Sequence, residues 1–384
     1  MNSRDLLREL IAFPTVSSEP NRTLIDYCAN LLNDAGAEVI IIEDDREAKA
    51  NLYATIGPRD IPGILLSGHT DVVPVEGQNW TVPPFEMTED DGKLFGRGTT
   101  DMKGFVASAL NTALKASEKK LVTPLHLAFS YDEELGCLGV HSMIDMLADA
   151  PFRPKFCIVG EPTLMAVATG HKGKTACHVT CTGREAHSAL APTALNALHL
   201  ACDVANIVRT MQAEIAATSS RDEDYDIPYT TMHVGKIEGG VALNIVPNHA
   251  IIKFEIRNLV EDDPQELLEK VGKRTQALLE PLRDEFPEAA IEIGITNTYP
   301  PLGTAPDAEI VSFVKSLTGS NATIKVAFGT EGGLFSQKLG VPTVICGPGS
   351  MAQGHKPDEF VSIEQLAKCD AMLEALVNHL ETGI

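Results

Sequence analysis

Residues 61–69 read IPGILLSGH, a short apolar run that closes on a histidine. It follows a Pro-Gly break, is too short for an ordinary helix and has no polar face, as expected of a strand buried on both sides. Similar runs recur at PLHLAFSY (124–131), KFCIVGE (155–161) and VPTVICGPG (341–349). Helical periodicity covers 3–12 and 21–36, where Gly36 is a stop signal, and returns at 103–117, about 138–148 and about 362–381. AEVIII (37–42) and NLYATIG (51–57) read as further strands, and 74–100 as a loop rich in Pro and Gly. Strands alternating with helices predict an α/β fold: a mostly parallel, mixed sheet flanked by helices on both faces.

The pattern changes near residue 172. KTACHVTCTG (174–183) alternates like a half-exposed strand, and a helix is expected from about 193 to 217. A polar loop (219–226), strands at 230–240 and 248–259, a helix at about 264–283 and a strand at 289–297 complete the segment. Strand, helix, strand, strand, helix, strand is the ferredoxin-like α+β order. The expected organisation is a main domain assembled from 1–171 plus 298–384, with 172–297 inserted as a lid able to open and close over a site.

With 384 residues, 44% of them hydrophobic and 22% charged, the chain is long enough for a large domain or two and is not disordered in character. Its net charge of -22 repels phosphate backbones and anionic lipid, so neither nucleic acid nor membrane is an expected partner. No stretch reaches the ~18 apolar residues of a membrane span. The opening MNSRDLLRELIAF is amphipathic and has no apolar signal core. The eight cysteines are scattered and include no CxxC pair; Cys177 and Cys181 would share one strand face. Reduced thiols and a cytoplasmic location are expected.

The polar residues that end the buried strands carry the chemistry. His69 and Asp71 follow one strand, Glu133 and Glu134 a second, Glu161 a third, and His355 lies in the loop after a fourth. Asp101 sits in a Gly-rich loop before a helix. In an open parallel sheet, ligands bind beyond the carboxyl ends of the strands, so these residues should converge on one edge. Taken singly, each has an ordinary reading: a core or surface histidine, a solvated Glu-Glu loop end, Asp101 as a helix cap. Taken together, so much negative charge is unfavourable without a cation. Imidazole and carboxylate suit zinc. Asp101 is placed to bridge two metals, and the spare carboxylate of the Glu133-Glu134 pair can act as a base on activated water. A phosphate cradle of the GxxxxGK[ST] kind is missing from the sequence.

Five ordered segments, SGHTDVVP (67–74), GRGTTDMKG (96–104), DEELGCLG (132–139), GEPT (160–163) and GHKPDEF (354–360), span nearly the whole chain. Through them it resembles the family of acetylornithine deacetylase, succinyl-diaminopimelate desuccinylase, aminoacylase and glutamate carboxypeptidase. The resemblance implies two zinc ions per subunit, with cobalt or manganese as possible substitutes. His69 and Glu161 would bind one, Glu134 and His355 the other, and Asp101 would bridge them. Asp71 would orient His69, Glu133 would be the general base, and the Asp101-Met102 peptide would be cis. In AHSA (186–189), His187 matches the family's lid histidine, which steadies the oxyanion, in dimeric relatives from the other subunit. Asn244 and Arg257 resemble substrate-facing lid residues, although a structural ion pair remains open for Arg257. Thr330 and Glu331, in FGTEGG (328–333), favour a deacetylase, with Glu331 facing a cationic amino group, although a loop contact without a ligand role also remains open. The implied activity is hydrolysis of an N-acyl amino acid, N-acetylornithine first, by a homodimer joined through the lid. The alternatives are the desuccinylase, a broader aminoacylase or dipeptidase, and a non-catalytic metal-binding relative.

Overall fold

The strand Ile64–His69 lies inside the larger sheet of a computed structural model that describes residues 1–17, 19–44, 49–151 and 153–384. The sheet has nine strands among the described residues. In spatial order they are Glu38–Glu43, Ala50–Ile56, Leu125–Ser130, Ile64–His69, Phe156–Pro162, Thr343–Gly347, Val167–His171 and Leu302–Gly303, with Thr323–Val326 also paired to Val167–His171. The four strands from Leu125–Ser130 to Thr343–Gly347 run parallel. Antiparallel pairs flank them, so the fold is α/β with a mixed sheet, its parallel part confined mainly to the centre.

The alternation of strand side chains sorts the helices. Ile64 and Leu66 join one core cluster with helices Ser3–Ile11, Arg22–Asp34, Lys103–Ser117, Glu309–Thr318 and Ile363–Thr382. Leu65 is equally buried but points the other way, outside that cluster. Helices Val140–Asp149 and Gly332–Leu339 pack on each other and against strands on this second side. Helix Lys103–Ser117 is buried along nearly its whole length, which explains its lack of a polar face.

Packing is tightest where two glycines replace strand side chains. A Cβ on Gly160 would lie 1.9 Å from Cγ of the buried Phe105 ring, and one on Gly347 would lie 1.9 Å from the Gly160 carbonyl oxygen. Gly160 precedes Glu161, so this packing sets the depth of a site residue. Gly160→Ala is expected to cost about 1–3 kcal/mol by overpacking, with partial rescue by Phe105→Leu. Urea melts of the single and double variants check this; an unchanged midpoint in the single variant refutes it.

The chain divides into two compact units: residues 1–171 with 302–384, and residues 172–301. The smaller unit is a four-stranded antiparallel sheet in the order Thr231–Gly239, His249–Arg257, Lys174–Thr182, Ala290–Tyr299. Helices Ala197–Thr218 and Pro264–Leu279 cover it. This is the ferredoxin-like arrangement. Alternate residues of Lys174–Thr182 are buried, and Cys177 and Cys181 share the core with Val204, Ile252 and Phe254. The long helix starts at Ala197 rather than 193 because Asn196 caps it, accepting from the backbone N–H groups of Leu198 and His199. Two short strands, Thr88–Asp90 and Lys93–Phe95, lie within the segment expected to be loop, and Lys93–Phe95 pairs with Phe360–Ser362.

Candidate metal centre

His69 ends its strand, Glu161 is the next-to-last residue of the neighbouring parallel strand, and Glu133 and Glu134 follow the strand on the other side. His355 lies beyond Thr343–Gly347, with its backbone in the left-handed region at φ 61°. Asp101 occupies the turn before helix Lys103–Ser117, and its peptide bond to Met102 is cis. All of these positions are at carboxyl ends of parallel strands or beside them, where a parallel sheet leaves a crevice.

Asp101 is the centre of the cluster. Its Oδ1 lies 3.0 Å from His69 Nε2, and its Oδ2 lies 3.1 Å from His355 Nε2. Glu161 Oε1 is 3.7 Å from His69 Nε2, and Glu134 is 3.1 Å from His355 Nε2. One carboxylate therefore faces two imidazoles, each with a second carboxylate beside it. Donor atoms of His69, Asp101 and Glu134 lie within 4.8 Å of one another, as do those of His69, Glu133 and Glu161.

The protonation states describe a site short of positive charge. Burial, together with the charge of Asp101, pushes Glu134 up to about 7. Glu133 and Glu161 are raised well above the ordinary carboxylate value, first by burial and then by their acidic neighbours. Asp101 is held far below the usual range: burial opposes its charge, but His355 and His69 outweigh it. Its hydrogen bonds to Asp101 and Glu134 raise His355 to about 10. Burial works against a charge on His69, yet its bonds to Asp101 and Asp71 hold its pKa well above normal. Borrowed protons thus offset carboxylate repulsion. A pair of divalent cations would do the same with stronger bonds, and oxygen and imidazole donors suit zinc, cobalt or manganese. The residues fit such a group.

Asp71 has a richer role than the sequence suggested. His69 Nδ1 is 2.9 Å from the main-chain oxygen of Asp71 and 3.5 Å from its carboxylate. That carboxylate accepts from Ser17 Oγ at 2.7 Å and from the backbone N–H groups of Glu133 and Glu134 at 3.1 and 3.3 Å. It therefore ties the His69 strand end to the Glu133-Glu134 loop. Cys137 Sγ donates to Glu133 Oε1 at 3.3 Å. Lys103, fully buried and lowered to about 7 by burial, donates to the carbonyls of Leu10 and Phe13. Ser17, Cys137 and Lys103 were not singled out from sequence, and only Cys137 and Lys103 lie within the quoted motifs.

Thr330 and Glu331 are buried in the same unit, 0% and 2% exposed. The Thr330 hydroxyl accepts from the Gly332 N–H. Glu331 Oε2 accepts from Ser67 Oγ at 3.3 Å, and burial raises its pKa to about 7 against the lowering influence of the Ser130 and Ser67 hydroxyls. In the smaller unit, His187 is exposed, and its Nδ1 accepts from the Ala189 N–H at 3.1 Å. In the neutral ring this leaves Nε2 carrying the proton, as a donor. Asn244 is also exposed. Arg257 is engaged by Glu255 at 3.0 Å and donates to Tyr299 Oη at 2.8 Å, so the ion pair left open by the sequence is present.

Buried carboxylates and two imidazoles, His69 buried and His355 partly exposed, gathered around one shared aspartate are the equipment of hydrolases that work with bound metal ions. Comparison with known proteins gives the same class: the chain belongs to the peptidase family M20/M25/M40, whose family model matches residues 65–379. It is 34% identical to the acetylornithine deacetylase of Pasteurella multocida (strain Pm70), over 97% of each chain. It is likewise 34% identical to the acetylornithine deacetylase of Myxococcus xanthus, over 99% of this chain and 98% of the relative. Its fold matches an M20 family metallo-carboxypeptidase from Sulfolobus solfataricus with a TM-score of 0.82 at 19% identity, over 100% of both chains. A dinuclear metal-binding peptidase of the same family from Bacillus subtilis matches at TM-score 0.70 and 14% identity, over 99% of this chain and 98% of that one. The protein is a metallohydrolase of this family. Among the described residues no helix is long and apolar enough to cross a membrane.

Proposed function

We propose that the chain hydrolyses the amide bond of an N-acyl amino acid, with N-acetylornithine as the preferred substrate, using two zinc ions. The observation that carries this reading is Asp101 with one oxygen on each imidazole, beside the separate carboxyl of Glu133. His69 and Glu161 would hold one cation, Glu134 and His355 the other, and Asp101 both. Once bound, the cations would polarise the acyl carbonyl and lower the pKa of the attacking water.

The chain's own groups handle the protons. Glu133 takes a proton from the water as its oxygen attacks the acyl carbon. His187, donating from Nε2, steadies the oxyanion as the carbonyl double bond opens. When the C–N bond breaks, Glu133 passes its proton to the leaving nitrogen. Acetate and the free amino acid depart. Asp71 keeps His69 and the Glu133 loop in register. Asn244 and Arg257 would meet the substrate from the smaller unit, acting as a lid and as the contact between two copies in a homodimer. Thr330 and Glu331 would set the side-chain preference, with the buried Glu331 carboxylate as acceptor for the ornithine amino group. Eight free thiols suit a reducing cytoplasm.

The relatives favour acetyl over succinyl as the acyl group, since the two deacetylases align over nearly their full length. The zinc-loaded protein is expected to turn over N-acetylornithine with a kcat/KM at least about tenfold above those for N-succinyl-diaminopimelate and N-acetylmethionine, as a pocket with a buried polar partner allows. A higher value for either competitor reassigns the substrate. No turnover of any of the three by fully loaded protein favours a non-catalytic relative.

A further inference from the structure

The GHKPDEF segment supplies His355, but its most enclosed residue is Glu359. Glu359 and Arg97 are each 1% exposed, and Arg97 Nη1 donates to Glu359 Oε2 at 2.6 Å. Glu359 Oε1 accepts three backbone N–H groups, from Gly98 at 3.1 Å, Thr100 at 3.0 Å and Asp101 at 3.1 Å. A single oxygen thus gathers the turn that ends on Asp101. Convergent N–H groups of this kind favour an anion, and Arg97 supplies the opposing charge.

The same pair reaches the His355 loop. Arg97 Nη1 donates to the Lys356 carbonyl at 3.3 Å, and its Nη2 donates to Gln78 Oε1. Gln78 Nε2 donates to the His355 carbonyl at 3.0 Å. The Trp80 ring lies 4.9 Å from the guanidinium, and Trp80 Nε1 donates to Gln78 Oε1 at 3.0 Å. Phe360, the residue after Glu359, pairs with Phe95 across the short antiparallel strands. The His355 side chain itself is 46% exposed, so its place depends on the backbone beneath it.

From this juxtaposition we propose that Glu359, held by Arg97, which Gln78 in turn ties to the His355 loop, is the positioning residue that fixes the spacing of Asp101 and His355, and so sets how tightly the centre holds its cations. The proposal rests on the two-cation reading given above. Glu359 touches no reacting atom in it; it acts through the turn of Asp101. A group that only stabilised the fold would alter the unfolding midpoint and leave cation affinity in the folded protein alone.

The test is zinc affinity, measured by competition with a chromophoric chelator, on the full chain and on Glu359→Gln, Glu359→Ala and Gln78→Ala, with urea midpoints and kcat and KM recorded alongside. Partners of metal-binding loops are typically worth about 10–100-fold in affinity. Glu359→Ala is expected to weaken zinc by that factor. Glu359→Gln, which keeps the Oε1 acceptor but turns an N–H donor toward Arg97 Nη1, is expected to recover only part of the loss. Gln78→Ala is expected to weaken zinc by about 3–10-fold, with KM within about threefold of the parent and the loss appearing in kcat at limiting zinc. If Glu359→Ala does not fold, the half-buried Gln78 decides. Folded variants that bind zinc as tightly as the parent overturn the proposal. A parent chain that binds no zinc overturns the two-cation reading first, and this inference with it.

Discussion

Glu133→Gln is expected to lower kcat by at least about 100-fold while leaving the bound zinc content unchanged, the usual scale for a lost general base. Glutamine has the same shape and keeps an oxygen for the Cys137 thiol, which donates to Glu133 Oε1 at 3.3 Å. It cannot take a proton from water. The surrounding bonds survive the change, because the Glu133 backbone N–H still donates to Asp71. The alternative role is as a cation ligand, since donor atoms of Glu133, His69 and Glu161 lie within 4.8 Å of one another. Metal analysis beside the kinetics separates the two. Turnover within about threefold of the parent rejects the base role, whereas lost zinc makes Glu133 a ligand.

The strand ends were readable because they follow from periodicity and one topological rule. Buried apolar runs closing on His69, Glu161 and the Glu133-Glu134 pair can reach one crevice only if the strands are parallel and adjacent, and they are. The Glu359 network was not readable in this way. It depends on pairing Lys93–Phe95 with Phe360–Ser362, two three-residue strands with too little periodicity to stand out from the Pro- and Gly-rich sequence around them. Arg257 is an intermediate case. Glu255 lies two residues earlier in a strand, and i and i+2 share a face, so the observed ion pair was available from EIR alone. Thr330 is a third kind of case. Only the fold shows its hydroxyl taken up by the Gly332 N–H, in a position with no exposure.

Stripping the cations should leave a protein whose Tm falls as pH rises from about 5 to 9, along a slope steeper than that of the loaded protein. The sign follows from which state holds more protons. Glu134 and Glu331 are raised from 4.5 to about 7 in the folded chain. Between those values the folded state keeps protons that the unfolded state has released, so the stability they confer is full below the unfolded pKa and lost as pH climbs through about 7. His355, raised from 6.5 to about 10, continues the loss above that range. Asp101, lowered instead, loses its contribution only in acid, outside this window. Each raised glutamate corresponds to on the order of 3 kcal/mol, and neighbours share rather than add such terms. A net few kcal/mol in a unit of this size shifts Tm by roughly 5–10 °C. Bound cations hold the ligand carboxylates ionised throughout, which leaves only the Glu331 part of the slope in the loaded curve and makes zinc affinity climb with pH. Glu331→Gln should remove part of the slope in stripped protein. Parallel Tm profiles for stripped and loaded protein would mean that the carboxylates do not share one cation-seeking pocket.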